Sequence, residues 1–378
     1  MNSILKDFGR LYRGQTTVNF IGKRLVGFVI SLVLVLSGAI SLVVQGLELG
    51  IDFRGGVAWE VPAGSLTDAN AREVLGRNGI DSANAKVQFL TGSELQVMRV
   101  QVGDQPEEVR LAVQKSFAEL AKTELQEVSV ASVSSSWGRS ITEKAIRALL
   151  VFFVVVSLYI SWRLEWKMAI TAIIAMLHDV LLSVGIYSIF DFEVTPATVV
   201  AFLTILGYSL YDTVVVFDRV QENAEKFSTS RQSFANIANV STNEVLARSL
   251  NTTLSSALPV VALLFVGSFA LGAKNLEEFA VALLVGMLAG TYSSIFIAVP
   301  LLDLLKQNEP KYKPFKDQIA TGQKMAALMG VDASPKRQQD AVTSVVESTP
   351  LGESAGESVA KRATATLTHP PRPRKKRR

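Results

Sequence analysis

The chain has 378 residues, 49% hydrophobic and only 19% charged, with 38 Lys and Arg against 34 Asp and Glu for a formal net charge of +4, and its mean hydropathy is +0.30. Soluble globular chains carry nearer a quarter charged residues, and the apolar residues here fall in blocks, which speaks against an ordinary soluble enzyme and for a membrane protein with one water-facing insert. Cysteine is absent from the sequence, which removes disulfides, thiol catalysis, zinc knuckles and iron–sulfur clusters.

In chain order, a basic segment holding Lys6, Arg10, Arg13, Lys23 and Arg24 precedes a first apolar stretch at 25–44. A bilayer-crossing helix takes about 20 apolar residues, whereas the apolar region of a signal peptide takes roughly 7–15. With no small-x-small cleavage site after it, this stretch reads as an uncleaved anchor. The long hydrophilic segment at 47–140 follows, and its hydrophobic pattern alternates between periods. A strand is predicted at 57–61, a helix at 67–78, a hairpin at 86–91 and 95–102, a second helix from Pro106 to Lys122, and a closing strand at 128–133. Glu107 and Glu108 favour the positive N-terminal end of that second helix. The order βαββαβ is the split βαβ, ferredoxin-like arrangement, a superfold that specifies no function.

Five more apolar stretches follow at 145–161, 168–190, 196–217, 254–272 and 279–302. The fold class expected is a polytopic α-helical membrane protein, six transmembrane helices with an extracytoplasmic ferredoxin-like α+β insert between helices 1 and 2. Basic residues mark cytoplasmic connections. Arg163 and Lys167 follow the second span, Arg219, Lys226, Arg231 and Arg248 follow the fourth, and Lys306, Lys311, Lys313 and Lys316 follow the sixth, whereas Asp191 and Glu193 mark an outer turn. The expected layout is a cytoplasmic N-terminus at 1–24, a first span at 25–46, the outer domain at 47–140, helices 2–6 at 141–305 and a disordered basic cytoplasmic tail at 306–378. That tail ends in Arg372, Arg374, Lys375, Lys376, Arg377 and Arg378, a run suited to anionic membrane lipids at about 1 kcal/mol per basic residue, or to an acidic partner such as RNA.

An ionisable side chain near mid-bilayer costs about 2.5–3.5 kcal/mol on insertion scales and marks a functional candidate. Asp212, seven residues before Arg219, lies on a stripe with Ile205 and Tyr208 and has Ser209 and Thr213 as neighbours. It reads as a proton-coupling group, or as a carboxylate pinned by a Tyr or Ser hydroxyl. Arg248 at the start of the fifth span, followed by Thr252, Ser255 and Ser256, is its expected partner, with snorkelling as the alternative. A nearby cation favours the charged carboxylate and desolvation the neutral one, so an acid balanced between them can load and release protons. His178 and Asp179 in the third span suit either a relay or hydrogen bonds between helices. Ala282, Gly286 and Gly290, with Ser293 and Ser294 beyond, read as close packing.

With these residues in hand, the chain resembles the SecF family of protein-export membrane subunits, within the resistance-nodulation-division superfamily. The resemblance rests on Gly50-Ile51-Asp52-Phe53-Arg54-Gly55-Gly56, on His178-Asp179-Val180, and on the run from Gly207 through Tyr208, Ser209, Tyr211, Asp212 and Thr213 to Phe217-Asp218-Arg219, and it covers residues 15–305. It implies an auxiliary role with SecD at the SecYEG channel, with YajC as a further partner. There the proton-motive force helps a translocating preprotein across the plasma membrane late in export. Carried over, Asp212 matches the proton-coupling aspartate. Arg248 matches the arginine of an Asn-Gln-Thr-Leu-x-Arg motif that here reads Asn243-Glu244-Val245-Leu246-Ala247-Arg248, so Glu244 and Val245 alter its surroundings. Gly50, Asp52, Arg54, Gly55 and Gly56 form a linker that could couple helices to the outer domain or merely satisfy local hydrogen bonds. No cofactor, metal or specific nucleic acid is expected, nor an enzyme, since P-loop, nucleophile elbow and metal cluster are all missing and the two histidines are His178 and His369. The alternatives are a translocon scaffold without ion conduction, or half of another exporter of the superfamily.

Overall fold

A computed structural model describes residues 16–91, 96–267 and 274–330 of the chain. Lys6, Arg10 and Arg13, the predicted end of the fifth span at 268–272, and the segment from 331 on with its basic run and His369 lie outside the described residues.

Helix α1 is Arg24–Val44, and its pattern is that of a soluble helix turned inside out. Leu25, Val26, Leu32, Val33 and Val43 are exposed, while the buried residues are Gly27, Ser31, Gly38 and Ser41. Lipid accepts the large apolar groups, so small residues mark the protein-facing stripe. A Cβ on Gly38 would lie 2.6 Å from Gly185 Cα, which brings α1 into backbone contact with α6, Trp166–Ile189.

Between these helices stand the short turn α2 (Ile51–Arg54), β1 (Gly56–Pro62), α3 (Asp68–Arg77), β2 (Lys86–Thr91), β3 (Gln96–Val102), α4 (Glu107–Ala121), β4 (Ser129–Val133) and α5 (Ser135–Arg163). The four strands make one antiparallel sheet in the order β2-β3-β1-β4, with Trp59 opposite both Val100 and Val130. Alternation does the sorting. Val57, Trp59, Val61, Met98 and Val100 turn to the side covered by α3 and α4, where they meet Val74, Leu75, Val113 and Phe117. Ala58 and Gln101 turn to the opposite face and are also buried, Gln101 with its amide on Glu193 just after α6. Thr67 caps α3 by accepting from Asn70 N at 3.4 Å, and Asn70 Oδ1 accepts from Thr67 N at 3.0 Å, a reciprocal box that fixes the start of the helix.

The remaining helices are α7 (Pro196–Lys226), α8 (Phe234–Phe265), α9 (Lys274–Ser293), a π-helical segment Ser294–Ala298, α10 (Val299–Lys306) and a final short α11 (Gln323–Leu328). Among the described residues five helical spans are long and apolar enough to cross a membrane: α1, α5, α6, α7 and the run Leu276–Lys306. Helix α8 begins twenty residues before the predicted 254. Its first half buries Asn236, Asn239, Ser241, Thr242 and Asn243, and hydropathy reads such residues as a loop. They are buried because they are paired: Ile21 N donates to Asn239 Oδ1 at 3.0 Å, Val18 N to Asn243 Oδ1 at 2.8 Å, and Asn243 Nδ2 back to Val18 O at 2.8 Å. A strap of residues 16–22 is thereby laid along α8.

The expected disordered tail is folded in its first part. Tyr312 is buried with its ring 5.2 Å from Phe234, Ala320 N donates to Asn236 Oδ1 at 2.6 Å, and Met325 is fully buried. Residues 309–322 run as turns and a short 3₁₀ segment without apolar periodicity, whereas the short apolar stretch that the sequence shows from Met325 on falls in and just after α11.

Candidate functional site

Asp212 is half-buried on α7 and faces hydroxyls. Ser249 of α8 donates to its Oδ1 at 2.6 Å, and Ser294, at the α-to-π junction after α9, donates to its Oδ2 at 2.8 Å. Arg248 is not its ion partner. The guanidinium is exposed and donates to Tyr211 Oη at 3.1 Å. Arg248 lies well inside α8 rather than at its start, and the next residue, Ser249, is the one turned inward. The expected pairing therefore gives way to two serines that neighbour the anticipated positions.

Ser294 has one proton and two acceptors, Asp212 Oδ2 at 2.8 Å and Thr291 O at 3.1 Å. When the carboxylate is charged the hydroxyl serves it. When the acid is protonated, its O–H donates to Ser294 Oγ and the hydroxyl turns to the carbonyl. The same serine can therefore hydrogen-bond either protonation state, and buried polar groups demand that satisfaction.

A cavity with about 20 Å³ of space for water centres adjoins the carboxylate, lined among others by Tyr208, Ser209, Tyr211, Asp212, Thr252 and Ser256. That is room for one water. A larger cavity of about 530 Å³ lies toward Arg219, bounded by Tyr211, Asp218, Glu222, Glu244 and Arg248. Tyr211 lines both, and its hydroxyl is held by Arg248. Of the residues anticipated around Asp212, Tyr208, Ser209 and Thr252 join it at the small cavity, whereas Thr213 is buried and does not line it. Glu244, where the motif would have Gln, accepts from Arg219 Nε at 2.6 Å and from Asn223 Nδ2 at 2.7 Å. Its charge therefore serves Arg219 rather than Arg248.

His178 and Asp179 diverge around α6 as adjacent helical residues must, yet they bond to each other, His178 Nδ1 to Asp179 Oδ1 at 3.1 Å. The imidazole reaches toward α1 and the carboxylate, 1% exposed, toward α7 and α9. The glycines Gly286 and Gly290 do allow close packing, against Ile205 and Ser209. Ser293 and Ser294 were legible only as part of that stripe, and they prove to be carboxylate partners. The missed signal is the pair of consecutive hydroxyls six and seven residues before Pro300, where the helix widens to π, a form that often marks functional positions.

The linker is seated rather than loose. Gly50 N donates to Val194 O at 2.9 Å and Val194 N to Glu48 O at 2.7 Å, tying it to the turn between α6 and α7. Arg54 reaches Glu48 at 3.3 Å and Leu47 O at 3.1 Å. Gly55 closes α2 at φ +77°, and a Cβ there would stand 2.6 Å from Ser135 Cα; Gly56 at φ +139° lies against Val102 O. Gln101 of β3 donates to Glu193 at 3.2 Å, so sheet, linker and the α6–α7 turn meet at one joint. Burial, then the neighbouring Glu193, push the Asp52 carboxyl above its ordinary 3.8, opposed by Arg99.

Residues 112–308 match a family described as protein export membrane protein SecD/SecF, C-terminal, and residues 40–57 match the SecD/SecF GG motif. Among relatives, the protein translocase subunit SecF of Streptomyces coelicolor is 37% identical over 88% of each chain. SecF of Mycobacterium tuberculosis is 41% identical over 79% of this chain and 69% of its own. The crystal structure of SecDF, a translocon-associated membrane protein from Thermus thermophilus, superposes with a TM-score of 0.70 at 30% identity; it covers 78% of this chain, and this chain spans 39% of that one.

Proposed function

Because the chain belongs to the SecF family of protein translocase subunits, we propose that it is the half-complex that couples the proton-motive force to late preprotein translocation, working with SecD beside the SecYEG channel. It is a multi-pass protein of the plasma membrane, and it works as a transport subunit rather than an enzyme. The sixth span is the apolar half of α8, both termini are cytoplasmic, and the insert is a ferredoxin-like domain on the outer side. The preprotein is handled there, while YajC and membrane lipids are further contacts. Residues 1–24, 25–46, 47–140, 141–305 and 306–378 are the functional divisions of the chain.

The observation that carries the reading is Asp212: a half-buried carboxylate in an apolar span, served by two hydroxyls, with a water-sized cavity beside it and no cation paired to it among the described residues. A carboxylate so placed exchanges a proton with little rearrangement of its own ligands. A proton crossing the potential releases about 2.3 kcal/mol per 100 mV. Arg248, hydrogen-bonded to Tyr211 beside the larger cavity, is a cation that can move toward the carboxylate. The pull of Asp212 on Arg248 rises and falls with its charge, so the relative seating of α7 and α8 follows each proton. The linker through Gly50, Asp52, Arg54, Gly55 and Gly56 passes that movement to the sheet.

The test is Asp212→Asn in the complex with SecD, reading gradient-driven preprotein export into inverted membrane vesicles alongside recovery of the intact complex. Export should fall to the level seen with the gradient collapsed while the complex assembles normally. Export at the parental rate would instead leave the subunit a translocon scaffold.

A further inference from the structure

Asp179 and Asp212 draw their hydroxyl donors from one place. Consecutive serines at the α-to-π junction divide between them: Ser293 Oγ donates to Asp179 Oδ2 at 2.8 Å, and Ser294 Oγ to Asp212 Oδ2 at 2.8 Å. Ser209 of α7, one turn before Asp212, gives Asp179 a second hydroxyl. Ser293 repeats the two-acceptor arrangement of Ser294, with Gly290 O as its alternative at 3.1 Å. On its other side Asp179 Oδ1 faces His178 Nδ1, and His178 Nε2 lies 2.5 Å from Ser31 Oγ of α1.

Serine, histidine and aspartate in this order could serve a nucleophile. Yet Ser31 is buried, and neither cavity described above is lined by it, so nothing among the described residues offers a substrate its hydroxyl. What remains is a proton site. With the imidazole neutral, Nδ1–H donates to Asp179 and Nε2 accepts from Ser31. Among the described residues the groups facing the pair are Ser31 on α1, Ser209 on α7, and Tyr292 and Ser293 on α9, none of them charged; the Tyr292 ring lies 6.4 Å from the imidazole and its hydroxyl is given to Gly27 O at 2.7 Å. An uncompensated aspartate in such surroundings needs either a proton or a cation.

We propose that His178 and Asp179 form a second proton-holding station of this subunit, joined to Asp212 through Ser293, Ser294 and Ser209. The inference rests on the reading of Asp212 as the coupling acid. One proton binds His178 Nε2, which then donates to Ser31 Oγ; the imidazolium–carboxylate pair is neutral where the imidazole–carboxylate pair carried −1. The same proton leaves from Nε2, and no other bond changes. Each station thus alternates between −1 and 0, and the serine pair senses both. Because Ser31 lies on α1, protonation of His178 also alters the contact between α1 and α6, which the Asp212 network does not reach.

The decisive variant is His178→Asn, whose amide can still donate to Asp179 but cannot hold a proton. In the complex with SecD, export driven by an imposed pH gradient is measured between pH 5.5 and 8, with Asp212→Asn in parallel. His178→Asn should assemble and retain export at the alkaline end, with at least a tenfold fall relative to the parent at the acidic end. A profile superimposable on the parent overturns the proposal. If Asp212→Asn exports normally, the coupling reading fails; if Asp212→Asn is inert and His178→Asn is parental, only the second station fails. Should His178→Asn fail to assemble, nitrogen-15 labelling of the histidines in full-length His369→Gln leaves one imidazole in the subunit. Its ring resonances should titrate between pH 5 and 8 and shift with Asp179→Asn. A single neutral tautomer throughout that range overturns the proposal.

Discussion

Gly55→Ala tests whether the linker is a seated joint. At φ +77° and ψ +163° the residue occupies backbone space that is essentially glycine's own, and strain of that kind costs about 1–3 kcal/mol. Its new Cβ would also stand 2.6 Å from Ser135 Cα and 2.8 Å from Ser135 N, where carbon contacts settle at about 3.5–4.0 Å. Both obstacles are backbone, so no rotamer relieves them; about 1 Å of separation between α2 and α5 is required, at roughly 1–3 kcal/mol of overpacking. The sum is roughly 2–6 kcal/mol. Gly64→Ala supplies the control, because Gly64 has φ +46° with nothing within 4 Å of its Cβ position, which leaves backbone strain of about 1–2 kcal/mol alone. Thermal unfolding of the purified complex, followed through the tryptophans including buried Trp59, should place Gly55→Ala several degrees below Gly64→Ala. Equal melting temperatures would refute a joint pressed against α5.

Asp52→Asn should change the pH dependence of stability. The folded-state pKa of Asp52 is raised, chiefly by burial and then by Glu193, so its contribution is present below the unfolded value and is lost as pH rises through the folded one. The variant should therefore gain stability over the parent as pH rises from about 3.8 toward neutrality, checked by melting curves across that window; a parent stabilised by ionising Asp52 would reverse the sign. Gly286→Ala should lower the melting temperature of the complex by driving a Cβ into the Ile205 side chain, and Ile205→Ala combined with it should cost less than the sum of the two, since the clash lies in atoms the second change removes. Strict additivity in that cycle would mean that α7 and α9 do not touch there.

Local chemistry made much of this legible in sequence. Pro106 before two glutamates and the alternation through Trp59 each specify an element, and the structure places those elements within one or two residues. The long apolar runs are equally plain because lipid imposes one rule on every position. Legibility ends where polar side chains are buried by pairing with distant backbone. Asn239 and Asn243 look like loop residues until the strap at Val18 and Ile21 is laid on them. The candidate site fails in the same way: Asp212 is conspicuous in an apolar run, but its partners Ser249 and Ser294 are ordinary serines, picked out by the packing of α7, α8 and α9. Arg248 drew attention through its charge, and the structure turns it to a tyrosine instead.

Helix α7 runs unbroken for 31 residues, about 46 Å at 1.5 Å per residue. Its N-terminal end follows closely on Glu193, the residue gripped by Gln101 of the sheet, and its C-terminal part carries Arg219 locked onto Glu244. A rod of that length acts as a lever with Asp212 near its middle: a tilt of about 5° displaces one end by about 4 Å relative to the other. A small shift beside the carboxylate is thereby enlarged at both ends of the helix.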